Sequence, residues 1–212
     1  MTKANSCCFW VLILLAGLPG TGKSYLGNII KGKLDSIDML SPDELKEYYS
    51  DLYGFNNLEE KQTMVENAWL KYYEIMEQKM QAGKNLISDY PFSQKQKPHI
   101  QQLVEKYGYM VITIRLIGDL DVLYERQKKR DLDQTRHLSH IVTSYQKGDY
   151  LENRSNADNL LTYEEFLKRC TTRGYNTFKL GKLIELDVTD FKKINYSKLL
   201  DKIISWCNDK DN

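Results

Sequence analysis

Residues 7–26 read CCFWVLILLAGLPGTGKSYL, and this stretch decides the fold. Cys7 to Ala16 is the most apolar run in the chain. It breaks at once into glycines, a proline, a lysine and a serine, which cannot build a core. A continuous apolar run cut off by turn residues is the pattern of a strand buried on both faces of a parallel sheet. Gly17, Gly22, Lys23 and Ser24 then satisfy G-x-x-x-x-G-K-[ST], the spacing of a phosphate-binding loop. Glycines let the backbone turn tightly and aim N–H groups at an anion, and the next helix adds its positive end. Gly17, Pro19, Gly20, Thr21, Gly22, Lys23, Ser24 and Tyr25 are therefore expected to surround a nucleotide's phosphates. Lys23 would bring a movable charge to the terminal phosphates, and Ser24 a hydroxyl to Mg²⁺. A chance glycine-rich turn is the alternative, and the strand–loop–helix context speaks against it. No NKxD string is present to read guanine, so ATP is the expected nucleotide.

Working outward, 212 residues suffice for one substantial α/β domain. The 30 basic and 29 acidic residues leave a net charge of +1, which excludes a strong overall bias toward nucleic acid or membrane. Cys7, Cys8, Cys170 and Cys207 form no CxxC pair, and with 3 histidines no metal-ligand cluster is spelled out. Lys3 followed by the apolar run imitates a signal peptide. The run is shorter than the roughly 20 residues a bilayer needs, and it feeds directly into the loop. A cytoplasmic chain with free thiols and no membrane partner is the expectation.

Strands alternate with helices along the rest of the chain. Ser24–Lys33 reads as a helix and Ser36–Leu40 as a brief strand. In SPDE, Ser41 has the place of a cap, Pro42 of the first helical residue and Glu44 of a capping-box partner, opening a helix to about Leu52. YGFNN reads as a loop. Val65, Ala68, Trp69, Tyr72, Met76 and Met80 set a helical period over Leu58–Gln81, stopped by Gly83. Leu86–Asp89, Tyr109–Gly118 and Lys182–Val188 read as strands. Pro98–Tyr107, Leu120–Arg130, Leu160–Arg173 and Tyr196–Cys207 read as helices, with a further helical stretch around Ile141–Tyr145. This order predicts a three-layer α/β/α fold with a mostly parallel central sheet, one domain over 1–212, and a lid insertion at about 126–150.

Phosphoryl transfer needs a held nucleophile, a proton acceptor and positive charge around the moving group. Asp43 sits in the first turn of the helix after the second strand, at the sheet edge where ligands bind. It is the candidate base, with complementing the helix dipole as the alternative. Asp89 ends the LISD strand at the same edge and is a candidate for holding Mg²⁺ or positioning substrate, with a cap on the adjoining turn as its rival. ERQKKRDLDQTRH carries Arg126, Lys128, Lys129, Arg130 and Arg136. A basic helix end entering a polar loop is a way to clamp phosphates, so Arg126 and Arg130 are the candidates there. His137 and His140 read as local polar contacts.

The ordered set GLPGTGKS, SPDELK, LISD and YERQKKR resembles the P-loop kinase group that includes phage-type polynucleotide 5′-hydroxyl kinases, with zeta-toxin-like and small-molecule kinases more distant. The resemblance covers roughly residues 10 to 150. It implies that Asp43 is the general base on the acceptor hydroxyl and that Lys46, where an arginine would match better, contacts the acceptor's phosphate. It also implies that Asp89 closes the next strand as metal or substrate positioner, and that Arg126 and Arg130 are lid arginines. The expected activity is ATP- and Mg²⁺-dependent transfer of the γ-phosphoryl to a hydroxyl, a polynucleotide 5′-end first. A sugar, nucleoside or other small metabolite is the alternative acceptor, and a regulatory P-loop ATPase or nucleotide-binding scaffold without acceptor is the alternative class.

Overall fold

A computed structural model describes residues 10–34 and 36–208. Lys3, Cys7 and Cys8 lie outside the described residues. The opening run becomes strand β1, Val11–Gly17, with every residue buried. It pairs in parallel with β3 (Asn85–Asp89) on one side and β4 (Met110–Ile117) on the other. Outside these lie β2 (Ile37–Met39) and β5 (Lys182–Asp187), giving a five-stranded parallel sheet in the order β2-β3-β1-β4-β5.

Alternation along β1 splits the core into two layers. Val11, Ile13 and Leu15 pack with Leu26 and Ile30 of α1 (Lys23–Lys31), Phe166 of α6 (Tyr163–Thr172) and Ile203 of α7 (Tyr196–Asn208). Leu12, Leu14 and Ala16 pack with Tyr72, Met76 and Met80 of α3 (Leu58–Gln81) and Ile100 of α4 (Lys97–Tyr107). Both faces are covered, which is why the strand is apolar without a break. The connection leaving β1 runs one way to β2, while β4 leaves the other way through α5 (Leu120–Leu132) to β5. After β1 the chain passes onto the face packed by α1 and after β3 onto the face packed by α4, and that divergence opens a crevice at the carboxyl edge between β1 and β3.

A third, smaller cluster joins the tip between α2 (Pro42–Tyr53) and α3 to the segment after α5. Two expectations change here. Residues 141–145 form no helix: Ile141 is buried in this cluster, and Tyr145 pairs antiparallel with Phe55 through two backbone hydrogen bonds of 2.9 and 2.7 Å. YGFNN is the loop its residues predicted, with Phe55 at its centre buried in the same cluster. Tyr145 and Ile141 are buried against the α2–α3 tip, out of water. The capping box at SPDE is also absent, because the Ser41 side chain makes no cap bond and instead faces Asp89. A capping box does form at Thr162 and Glu165, where α6 begins three residues later than its pattern suggested.

Candidate active site

The loop after β1 holds its shape through glycine. Gly17 has φ +119°, and a Cβ there would lie 2.1 Å from the Leu116 carbonyl oxygen in β4. Gly20 has φ +78°, and its Cβ would lie 2.3 Å from the Leu123 carbonyl of α5. Both obstacles are backbone and cannot step aside. Gly17→Ala is expected to cost about 2 kcal/mol or more through strain and overpacking. In a chain of this size that lowers the melting temperature by on the order of 5 °C, measurable by calorimetry.

Lys23 is folded back onto this loop, donating to the Leu18 carbonyl (2.8 Å) and more weakly to the Gly17 carbonyl (3.3 Å). Burial pushes its ammonium down to about 8, against the opposing pull of Asp89 and Asp43 and with help from Arg130. Ser24 donates to Asp89 Oδ2 at 2.5 Å. Burial raises the Asp89 carboxyl, only partly countered by the Ser24 and Ser41 hydroxyls. Asp89 Oδ1 is buried without a hydrogen-bond partner. An orphaned carboxylate oxygen beside a hydroxyl, both hard oxygen donors, fits Mg²⁺, which is held by few protein ligands plus phosphate and water.

Asp43 opens α2 across the cleft. Burial would raise its carboxyl, but the charges of Lys46, His140 and Arg136 outweigh it and hold the group well below the usual carboxylate range. Lys46 donates to Asp43 Oδ1 at 3.0 Å, and its ammonium lies 4.1 Å from the Tyr90 ring centroid and 5.4 Å from that of Trp69. Lys46 thus faces Asp43 and two aromatic rings, and it is not among the residues lining the cleft. Arg126 donates from Nη1 to the Val188 carbonyl (2.6 Å) and from Nη2 to the Thr189 carbonyl (2.8 Å). Its guanidinium stacks 4.0 Å from the Phe191 ring centroid. That ring lies over the phosphate loop, 3.1 Å from where a Gly22 Cβ would be.

These residues border one cleft of about 560 Å³ that takes in Pro19, Gly20, Gly22, Lys23, Ser24, Tyr25, Asp43, Asp89, Arg126 and Arg130. Gly17 and Thr21 support it from behind: Thr21 is buried and donates to the Leu18 carbonyl at 2.8 Å. Sequence reasoning missed Tyr90, Arg169, Arg173, Tyr175 and Phe191, which also line the cleft. Arginines in the last turn of α6 carry no local signal, because basic residues there ordinarily complement the helix dipole in solvent. His140 lines the cleft while bonded to Glu47 at 2.7 Å, and His137 bonds Asp51 at 3.1 Å.

The segment bearing these histidines is fastened to the α2–α3 hairpin. Lys61 donates to the Val142 carbonyl (2.9 Å) and Tyr145 to Asp51 (2.6 Å), adding to the Phe55–Tyr145 pairing. The insertion expected as a lid is therefore docked along its 137–145 stretch. No helix among the described residues is long and apolar enough to cross a membrane.

Comparison with known proteins agrees with this architecture. A candidate kinase from Chloroflexus aurantiacus superposes with a TM-score of 0.69 at 23% identity, covering 93% of this chain and 94% of that one. A sugar kinase from Janibacter sp. gives 0.53 at 14% identity, over 93% and 94% of the two chains. A gluconokinase from Sinorhizobium meliloti gives 0.50 at 13%, over 93% and 91%. At these identities the likeness is one of fold: a P-loop NTPase of the kinase-like kind. No curated protein sequence matches. The phosphate loop, strands β2, β3 and β4 and the acids at the sheet edge fall within residues 13–143, which match the model of the AAA domain, and the chain belongs to that family.

Proposed function

We propose that this chain is an ATP-dependent phosphotransferase that moves the γ-phosphoryl to a hydroxyl acceptor. The observation that carries the reading is that Asp43 borders the same cleft as Lys23 and Ser24. A nucleotide-binding scaffold has no need of a proton acceptor facing the phosphates, whereas phosphoryl transfer to a nucleophile does. In this reading the loop amides and Lys23 hold the phosphates, Arg130 faces the moving group, and Arg126 with Phe191 borders the nucleotide's outer end. Ser24 and Asp89 would hold Mg²⁺, which supplies charge neutralisation between the phosphates. Asp43 orients the acceptor hydroxyl and takes its proton, kept in line by Lys46.

The acceptor favoured here is a small hydroxylated molecule. The polynucleotide 5′-end suggested by the resemblance relied on Lys46, whose ammonium is engaged by Asp43. Arg136 and His140, carried on the docked segment, also wall the cleft beside Asp43. The deciding experiment is transfer from γ-labelled ATP to sugars, sugar acids, nucleosides and 5′-hydroxyl oligonucleotides. Labelled product with any of these supports a kinase, and phosphate release indifferent to all of them refutes it.

Lys23 adds a pH test. A phosphate beside its ammonium raises the pKa from about 8, so nucleotide binding takes up a proton where the free amine is neutral. ATP affinity is expected to hold below pH 7.5 and to fall above pH 8, by up to about tenfold per pH unit. Calorimetry in two buffers of different ionisation enthalpy at pH 8.5 measures the proton uptake, and none should occur in Lys23→Met.

A further inference from the structure

The cleft holds more positive charge than a nucleotide requires. Six cationic side chains line it against two carboxylates, Asp43 and Asp89. Lys23 and Arg130 neighbour the phosphate loop, and Arg126 is tied to backbone carbonyls. Arg136, Arg169 and Arg173 remain. Arg169 and Arg173 stand one turn apart on the cleft face of the α6 end, so their guanidiniums can converge on one anion. Arg173 donates to the Tyr175 hydroxyl at 3.3 Å, and neither arginine has an acidic partner within ion-pair distance among the described residues. Arg136 comes from the docked segment with its side chain only 10% exposed, and its Nε is buried without a hydrogen-bond partner. Asp131 and Glu47 approach it no nearer than 3.7 Å. A buried guanidinium with an unmet donor is costly unless a ligand completes it.

We infer that Arg136, Arg169 and Arg173 form an anion subsite on the acceptor side of the cleft, and that the acceptor is a small hydroxylated molecule carrying a phosphate or carboxylate. This rests on the phosphotransferase reading and deepens it. The anion would fix the acceptor at a distance from its reacting hydroxyl, leaving that hydroxyl to Asp43. Forked guanidiniums suit either anion equally, because both present two coplanar or near-coplanar oxygens.

The test uses the full chain saturated with Mg·AMP-PNP, which fills the phosphate loop. Inorganic phosphate, glycerate, glycerol and a 5′-hydroxyl oligonucleotide are then titrated by calorimetry. Saturable binding of phosphate or glycerate, but not glycerol, is expected, and which of the two binds tighter identifies the anion. Arg173→Ala and Arg169→Ala should each weaken that binding at least tenfold while AMP-PNP affinity changes less than threefold. Arg173→Lys, which keeps the charge and loses the fork, should recover only part of it and guards against misfolding. The inference is overturned if no small anion binds the nucleotide-filled protein, if the oligonucleotide binds more tightly than either, or if the substitutions weaken AMP-PNP instead. Failure of AMP-PNP itself to bind would be a different result and would remove the kinase reading beneath it.

Discussion

Asp43→Asn is expected to lower acceptor-dependent turnover by about 10²- to 10⁴-fold, the range general-base removal gives, while leaving ATP affinity within a few-fold of the native value. Asparagine keeps the shape of the side chain and still meets Lys46, so folding is preserved. What disappears is the negative charge that Lys46, His140 and Arg136 stabilise. Because those charges hold the Asp43 carboxyl far below its ordinary value, it stays ionised throughout the working range, and turnover should show no acid limb from this group down to pH 5. So weak a base accepts its proton late, which suits a loose phosphoryl transition state in which the hydroxyl is aimed first and deprotonated afterwards. Single-turnover assays with labelled ATP measure the loss. Equal turnover in the variant would remove Asp43 from the reaction.

Lys23→Met is expected to lower kcat/KM by on the order of 10²- to 10³-fold, the cost of removing one preorganised donor from a developing charge. Unlike the Asp43 change, it should also weaken ATP binding. The same substitution should raise the melting temperature. Burial depresses the Lys23 pKa to about 8, so the free protein carries an ammonium in surroundings that disfavour it, satisfied by the carbonyls of Leu18 and Gly17 and the Thr21 hydroxyl. Methionine fills similar volume without charge to desolvate. A variant more stable yet nearly inactive would mark Lys23 as a residue kept for chemistry at the expense of stability. Thermal melts with and without Mg·ATP separate the two effects, since ligand stabilisation should appear in the native chain and largely vanish in the variant.

Residues 7–26 carried most of the fold. The unbroken apolar run predicted a strand covered on both faces, and the glycine–lysine–serine spacing predicted the phosphate loop and the helix after it, because both signals are local. Helix α3 was equally legible, since Ala68, Tyr72, Met76 and Met80 are all buried at the spacing the sequence shows. The misreadings share a cause: a long-range partner overrode a local preference. Ser41 abandons its cap for Asp89, and Tyr145 abandons a helical turn for Phe55, far earlier in the chain. The site obeys the same rule. Lys23, Ser24, Asp43 and Asp89 could be named from strand ends and helix starts. Arg169, Arg173, Tyr175 and Phe191 could not, because nothing in their neighbourhoods states that α6 and the segment after β5 return to the phosphate loop.

The reciprocal amide pairing of Phe55 with Tyr145 has a mechanical meaning. With Phe55, Leu138, Ile141 and Tyr145 sharing one apolar knot, the flap cannot lift without pulling the hairpin tip with it or laying those side chains open to water. The two pieces therefore make one continuous wall of the cleft, joined through Arg136 and His140 to the side that holds Asp43.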